Sequence, residues 1–474
     1  MKRILFTIPF ILFGTLGNAQ DIDLDEVEKK IKPKMFAHAP EAKVLSLHDA
    51  ISQGLRLNNQ EKIRSYRKGL IELNWKDAFE GFWFPQLNLT VNTSGHHVQS
   101  IYSNENETVL SETPAGFVGL EFEDYTVFNW GRDYLEYLNQ KATYIRENQI
   151  LKEQRRDLRF KIIDKYFNLS LLKQIRLIKK SQLRHTSFIY KLSKEKLSLG
   201  RINKQALLQG KEEFLRAHQE FQDINAQVAT TEQDLATLLG DDLSTTYTLT
   251  NQLKFSPLNI QKDETITLAQ QRSPQLRQAN VELANANRSF EKNLKDNLPL
   301  PKFTVRLGAY RHSFSNQGSQ DSFTTYGNEN DVEVAASINM KWRIFGSGGF
   351  LNSREREREY FNKRIAEIEF TEAKRDVKVA ILTFHKQISH LEKKVEAAEA
   401  RLKNARVLFD ATLDRYISGQ TSFPDVSLAL DSLINTQEAY EEAKYEHLAQ
   451  KLNLANLAGV DDFPGEKFDN LVMK

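Results

Sequence analysis

The feature that most limits how this chain can fold is a stretch of about 68 residues, from 132 to 199, that contains neither glycine nor proline. A continuous helix over this stretch would be roughly 100 Å long at about 1.5 Å per residue. Leucine and isoleucine recur in it at heptad spacing, although Arg155, Lys165 and Arg176 interrupt the apolar seam. Such a helix is too long for the core of a globular domain, so it must lie against similarly long neighbours.

A second feature is a strand-like pattern over residues 332–345. Alternate positions from Val332 to Ile344 are apolar, and most of the positions between them are polar. Since the side chains of a strand point alternately to its two faces, one face is apolar throughout and the other can meet water. The strand leads through a Gly-Ser-Gly-Gly turn at 346–349 into another helical pattern. This junction predicts that the chain supplies part of a transmembrane β-barrel and part of a helical tunnel beneath it.

The chain contains an internal duplication. Four landmarks recur at a nearly constant offset: Pro85 and Pro301 (301 − 85 = 216), Gly131 and Gly348 (348 − 131 = 217), and Gly200 with Gly419 and Gly240 with Gly459 (both 219). Repeat 1 covers residues 44–240 and repeat 2 covers residues 260–459; each is predicted to supply a helix, two strands, a long helix and a short helix. Residues 20–43 form a polar lead-in, residues 241–259 a linker, and residues 460–474 a short tail.

Helix and strand signals predict the elements of each repeat. Repeat 1 begins with one helix from Val44 to Phe84, with Ser46 as its candidate N-cap and a proline at its end. After it we predict strands at 86–98 and 115–129 around a polar loop at 101–114, and helices at 133–199 and 203–239. The second strand alternates poorly, which leaves its register weakly specified. For repeat 2 we predict, in chain order, a helix at 265–298, a strand at 303–309, a polar loop at 313–331, the strand at 332–345, a helix at 350–417 and a last helix ending near 458.

The first 19 residues have the pattern of a secretory signal: two basic residues, an apolar run at 4–16 and a small-residue cleavage site at 17–19. No later apolar run reaches the ~20 residues of a membrane-spanning helix. A membrane form of the mature protein would therefore have to cross as strands. The 65 basic and 63 acidic residues nearly cancel, so the chain has no overall positive potential that would attract nucleic acid. The sequence contains no cysteine, which excludes thiol chemistry.

Four strands cannot close a barrel, because bacterial barrels begin at about eight strands and an open edge in lipid leaves backbone groups unpaired. The barrel must therefore be shared between copies of the chain. Aromatic residues at the helix–strand junctions support a membrane position, as an interfacial girdle formed by Trp83, Phe84, Trp130, Trp342 and Phe345. The alternative is that these are core aromatics of a soluble domain.

The plan resembles the TolC-type outer-membrane efflux proteins over residues 44–459. The resemblance depends on the order and duplication of motifs at the strand entry, the strand exit, the helix tips and the repeat ends: Phe84-Pro85-Gln86-Leu87, Phe128-Asn129-Trp130-Gly131-Arg132, Leu199-Gly200, Ser418-Gly419, Leu239-Gly240 and Ala458-Gly459. The family implies a mainly α fold with a transmembrane barrel portion: a homotrimer with a 12-stranded β-barrel in outer-membrane lipid and a long α-helical barrel crossing the periplasm. It also implies two partners, a periplasmic adaptor protein and an inner-membrane transporter.

The resemblance also indicates where functional residues lie. The turns between the long and short helices would form the periplasmic tips that dock the adaptor, namely Leu199, Gly200, Arg201 and Ile202 with Ser418, Gly419, Gln420 and Thr421. The alternative for these glycines is an ordinary helix C-cap. Family members often carry a gate aspartate six residues after the second tip glycine, which is Asp425 here, and Asp431 could form a second ring. The alternative for Asp425 is an acid that interacts with the helix dipole. The family's second acid is replaced by Leu428, and repeat 1 has Ala206 at the gate position.

We expect no metal, cofactor or catalysis. His96 and His97 are neighbours on a strand and point to opposite faces, and His385 and His390 are five apart on a helix, which is poor geometry for a shared ion. No catalytic arrangement can be argued from spacing. The resemblance implies instead a passive exit duct for small molecules such as drugs and toxic compounds. A duct for type I protein secretion is the near alternative, and a secreted coiled-coil scaffold is the alternative from another class.

Overall fold

The computed structural model describes residues 42–104, 107–312, 333–342, 344, 353–468 and 472–473. The predicted signal, nearly all of the lead-in, the loop at 313–331, the turn at 346–349 and Phe345 lie outside these residues. None of the helices within the described ranges is long and apolar enough to cross a membrane.

Apart from four short strands of two or three residues, the described elements occur twice in the same order. The first set is β1 (Lys43–Leu45), α1 (Leu47–Leu57), α2 (Asn59–Trp83), β2 (Leu87–Asn104), β3 (Glu107–Phe128), α3 (Arg132–Ser198) and α4 (Lys204–Leu239), followed by β4 (Tyr247–Leu249) and β5 (Gln252–Leu253). The second set is α5 (Lys262–Arg272), α6 (Pro274–Asp296), β6 (Lys302–His312), β7 (Glu333–Lys341), α7 (Arg354–Ile417) and α8 (Phe423–Ala458), followed by β8 (Val472–Met473). Each set contains two short helices, a hairpin, a long helix and a shorter one.

The two long helices form as the sequence predicts. Helix α3 has 67 residues and α7 has 64, and each packs lengthwise against the shorter helix that follows it. Glycines at 200 and 419 adopt the left-handed conformation, with φ of 68° and 79°, which ends each long helix and lets the chain turn back. The absence of helix breakers between these glycines and the strands therefore sets the length of α3 and α7, which we call the rods.

The first helix of each repeat is broken, and the prediction of single helices at 44–84 and 265–298 is wrong. The break in repeat 1 falls at Asn58, whose extended backbone ends α1 and whose side chain caps α2 by accepting from the Gln60 amide at 2.7 Å. The break in repeat 2 falls at Ser273, because the following Pro274 disfavours helical backbone at the residue before it. The Ser46 N-cap is confirmed, since its hydroxyl accepts from the Asp49 amide at 3.1 Å.

One antiparallel sheet joins the two hairpins in the order β2-β3-β6-β7. The first hairpin is longer than expected, because Asn104 is paired with Glu107 where a polar loop at 101–114 was predicted. This segment lacks an apolar alternation, so its strand character depends on pairing with a partner strand, which a single-strand pattern does not reveal. Strand β7 ends at Lys341, and the described residues Trp342 and Ile344 of the predicted strand 332–345 lie beyond its end.

The linker and the tail contribute to a shared core beside the rods. Strand β1 pairs in parallel with β4, and β5 pairs with β8. Phe463 and Phe468 of the tail are buried in the main apolar cluster together with residues from both repeats. Lys451 of α8, only 1% exposed, donates to the Ser256 carbonyl at 3.0 Å and forms a buried ion pair with Glu466. These contacts tie both connecting segments to the helices.

Candidate functional site: the sheet faces and the helix tips

The sheet has one apolar and one polar face. The pairing register puts directly opposite residues on the same face, which separates two sets. The apolar face carries Leu87, Leu89, Val91, Leu120, Phe122, Phe303, Val305, Leu307, Ala309, Ala336, Ile338 and Met340. The polar face carries Asn88, Thr90, Glu121, Thr126, Lys302, Thr304, Arg306, Ser337, Asn339 and Lys341. This is the pattern of a barrel wall with lipid outside and water inside.

A bulge in β3 explains the poor alternation of that strand. The register shifts between Phe122 and Tyr125, so that two residues of β3 stand opposite Arg306 of β6. An extra residue reverses which face the following residues occupy. Tyr125 consequently pairs with Val305 on the apolar face. The sequence pattern cannot show this shift, because it assumes an unbroken period of two.

The polar face holds both paired and unpaired charges. Glu121 accepts from the Thr90 hydroxyl at 2.7 Å and pairs with Arg306 at 2.5 Å, which links β2, β3 and β6. Lys302 and Lys341 stand directly opposite each other at the helix end of the sheet. Both are exposed, and within the described ranges neither has a carboxylate partner. Sequence reasoning did not single out this lysine pair, because the register that brings the two together is a tertiary property.

The predicted girdle residues that the structure describes lie where the strands meet the helices. Trp83, Phe84, Trp130 and Trp342 are all exposed. The Trp130 indole donates to the Pro301 carbonyl at 3.0 Å and its ring lies 5.0 Å from that of Phe128, which ties the exit of β3 to the entry of β6. Trp83 and Phe84 line a cavity of about 450 Å³ at the same junction. The interfacial role of these residues stays a prediction.

The structure brings the two helix tips together within one chain. The Lys196 ammonium of α3 lies 3.9 Å from the centre of the Tyr416 ring on α7 and donates to the Tyr416 carbonyl. Ser193 and Tyr416 share a buried hydrogen bond of 2.8 Å between their hydroxyls. Leu199, at the turn beyond Lys196, is 67% exposed. Sequence reasoning missed Lys196 and Tyr416, since a lysine in the last turn of a helix is common for other reasons.

Asp425 is part of a capping box at the start of α8. Its carboxylate accepts from the Ser422 amide at 3.1 Å, the Ser422 hydroxyl at 2.5 Å and the Thr421 hydroxyl at 2.8 Å. These hydroxyl donors lower the pKa of Asp425 below its ordinary value. The geometry therefore matches the alternative of a helix N-terminal acid, while the gate role stays a prediction.

Asp431 does not stand alone. Its carboxylate lies 3.1 Å from the Arg216 guanidinium of α4, which also contacts Glu213 at 2.5 Å. A ring of Asp431 residues would therefore carry an equal number of guanidinium groups. In the part of the chain that the structure describes, no cluster of three or more acidic or histidine side chains could hold a metal ion.

A two-faced sheet continuous with paired helices of roughly 100 Å defines a channel protein of the outer-membrane type. Residues 265–460 match the family model described as "Outer membrane efflux protein". The match covers most of repeat 2, and the channels of this family lie in the outer membrane of Gram-negative bacteria with a helical domain in the periplasm.

Solved structures share this fold at low sequence identity. The outer membrane protein VceC from Vibrio cholerae is 15% identical with a TM-score of 0.73, over 87% of this chain and 96% of that one. The Campylobacter jejuni CmeC outer membrane channel is 16% identical with a TM-score of 0.70, over 87% and 85%. The open state of the Neisseria gonorrhoeae MtrE outer membrane channel is 13% identical with a TM-score of 0.66, over 88% and 89%. No curated protein matches the chain.

Proposed function

We propose that this chain is the exit duct of a tripartite efflux system, which passively exports small molecules supplied by an inner-membrane transporter through a periplasmic adaptor. The observation that carries the proposal is the sheet, which has one apolar face, one polar face and two open edges at β2 and β7. In lipid these edges must pair, and a second copy offers the matching edge. Three copies of four strands would close a 12-stranded barrel.

The helices support closure by copies of the same chain. Within one chain the helices α2, α3, α6 and α7 lie side by side in that order. Three side-chain pairs join α3 to α6: Arg132–Asp296 at 2.7 Å, Glu136–Lys292 at 2.9 Å and Arg146–Gln278 at 2.8 Å. The repeat equivalents of α3 and α6 are α7 and α2. The same joint between copies would therefore place α7 of one copy against α2 of the next.

The outer surfaces of α2 and α7 carry the apolar residues that such a joint needs. Helix α2 exposes Ile63, Tyr66 and Leu70, and α7 exposes Phe361, Ile365 and Ile368, in both cases at helical spacing. The repeat offsets carry the Arg146–Gln278 contact to positions 363 and 62 (146 + 217 = 363; 278 − 216 = 62). In this joint, Phe361 and Ile365 of one copy would lie at the same height along the helices as Ile63 and Tyr66 of the next copy.

The experiment is to express the chain with its signal, wash the membranes with alkaline carbonate and record conductance in planar bilayers. We expect retention in the membrane and discrete channel openings. Phe361→Asp with Ile365→Asp should release monomers when the protein is analysed by native mass spectrometry in detergent, while Leu243→Asp, also at an exposed leucine, should not. A protein that washes off as a soluble monomer would be the coiled-coil scaffold, and the duct proposal would be wrong.

We also propose that the two tip turns dock the adaptor. Support comes from exposed apolar side chains around the turns, at Leu199, Leu208, Ile417 and Leu428. These residues surround the left-handed glycines at 200 and 419, which make the turns narrow enough to insert into a groove. Cross-linking from cysteines placed at Leu199 and Gln420 should capture an adaptor in cells, and cysteines on the exposed mid-rod positions Val379 and Lys394 provide the control.

A further inference from the structure

A groove between α2 and α3 carries a concentration of positive charge that the duct function does not use. Its cavity has a volume of about 510 Å³, and its lining includes six cationic side chains and one carboxylate, that of Asp461. The cations are Arg64 and Lys68 from α2 and Lys152, Arg155, Arg156 and Arg159 from α3. The whole chain has a net charge of only +2, so this excess is local.

The sequence spacing makes this a built surface of the two helices. Residues 155 and 156 lie three and four positions after 152, and 159 lies four and three positions after them, which places all four on one side of α3. Arg64 and Lys68 are one turn apart on α2 and face them across the groove. Leu55 and Leu151 are the apolar members of an otherwise polar and charged lining.

Some of these cationic side chains have close carboxylate partners within the described part of the protein and others do not. Arg64 is paired with Glu61, and Arg159 lies 3.0 Å from the Asp462 carboxylate. Arg155 comes no closer than 4.0 Å to Glu61, and Lys152 has no carboxylate partner within the described ranges.

The second observation is the state of Arg156, which lines the cavity although only 8% of it is exposed. Its Nε is buried without a hydrogen-bond partner, and its Nη2 reaches only the Asn456 amide oxygen, at 3.5 Å. Burying a guanidinium whose N–H groups lack hydrogen-bond acceptors destabilises the folded protein. A bound oxyanion would supply acceptors for these groups.

We infer that this groove binds a multivalent oxyanion, a ligand that carries two or more phosphate or carboxylate groups. The planar fork of arginine matches both groups in a two-point contact, and several arginines converge on one cavity. The site stays open in the proposed assembly, because Arg64 and Lys68 lie roughly 150° around α2 from the Ile63–Leu70 surface that the next copy covers, at 100° per residue. Binding here does not depend on whether the chain conducts.

The test is calorimetric titration of the full-length protein in detergent with pyrophosphate and, separately, with citrate, at low salt. The variant Lys152→Gln/Arg155→Gln removes two exposed cations, and we expect at least tenfold weaker binding with an unchanged thermal unfolding temperature. Lys165→Gln/Lys180→Gln removes the same charge from the same helix outside the groove and should bind like the parent protein. Raising the salt concentration should weaken binding to the parent protein.

The outcomes separate the sources of the oxyanion. Binding of both ligands indicates a general oxyanion site, and binding of pyrophosphate alone indicates phosphate groups. Failure of the parent protein to bind either anion would overturn the inference. So would an equal loss in the groove variant and in the control, since that would show only a general charge effect.

Discussion

Asp425 caps the start of α8, and the predicted gate would give the same carboxylate a second role at the pore. Thr421 and Ser422, just before α8, donate all of the observed hydrogen bonds to the Asp425 carboxylate, and its lowered pKa keeps it ionised at neutral pH. The sign follows from that direction: its stabilisation of α8 is present above the ordinary aspartate pKa and is lost as the pH falls through the lower, folded value. An ionised carboxylate can cap the helix and still repel anions from a narrow opening.

Two substitutions at Asp425 separate these roles. Asn keeps an oxygen acceptor for the cap and removes the charge, whereas Ala removes both. We expect both variants to raise single-channel conductance and to reduce cation preference in planar bilayers if the carboxylate faces the pore. An effect of Ala without an effect of Asn would assign Asp425 to the cap alone.

His447 is a buried base in the core beside the rods. Burial and the neighbouring Lys451 lower its pKa to about 4, against the weaker opposing effect of Glu392, whose carboxylate is 3.5 Å from its Nε2. The ring of Phe255 covers it at 5.0 Å. The unfolded chain therefore takes up a proton at this position at a higher pH than the folded chain does.

The consequence is a loss of stability on acidification between about pH 6.5 and 4, of the order of 2–3 kcal/mol from this group. Replacing His447 by Gln should flatten that part of the curve when the free energy of unfolding is measured by urea titration at several pH values. His390, an exposed histidine on α7, provides the control, and its Gln variant should keep the parent slope. Parallel curves for His447→Gln and the parent would contradict the prediction.

At the scale of elements, the repeated helix ends differ in how closely another segment approaches them. Gly240 and Gly459 occupy equivalent positions and both have positive φ, 71° and 75°. A Cβ at Gly240 would lie 3.3 Å from the Leu57 carbonyl oxygen, whereas one at Gly459 would overlap the carbonyl oxygen of Arg272. The break before Pro274 brings that carbonyl against the end of α8.

Alanine at these two glycines should therefore have unequal effects. Gly240→Ala bears mainly the cost of a left-handed alanine, about 1–2 kcal/mol. Gly459→Ala adds a clash with backbone that cannot turn away, and we expect at least twice that loss in the free energy of unfolding. Urea titration of the two variants in the same detergent tests this prediction. Equal losses in the free energy of unfolding would contradict it and show that the backbone between α5 and α6 shifts at little cost.

At the scale of the whole molecule, closing the ring would repeat the Lys302–Lys341 pair in every copy. Like charges directly opposite on neighbouring strands repel, and this pair has no carboxylate partner within the described ranges. It lies on the polar face, and Lys302 is four residues along β6 from Arg306, which is neutralised by Glu121. In the proposed duct, the junction between barrel and tunnel would therefore favour anions.

Replacing both lysines by glutamine should shift the reversal potential in a potassium chloride gradient toward potassium. Lys467→Gln removes a charge from the tail segment, away from the sheet, and should leave the potential unchanged. A conducting double variant with the parent's reversal potential would contradict this prediction while leaving the duct intact.

The sequence by itself determined the rods, the duplication and the two-faced strands. Glycine and proline act locally, so their absence over 133–199 and their recurrence at 200 and 419 predict helix lengths without tertiary information. Alternation in 332–345 likewise depends only on the geometry of one strand.

Tertiary structure alone decided the features that join distant segments. The bulge opposite Arg306, the pairing of β1 with β4 and of β5 with β8, and the burial of Lys451 against Glu466 each need a partner that no local pattern identifies. The cap at Asn58 depends on helix α4 as well, because its amide donates to the Leu238 carbonyl at 2.8 Å. The basic groove arises in the same way, since α2 and α3 each carry ordinary surface charges until packing sets them face to face.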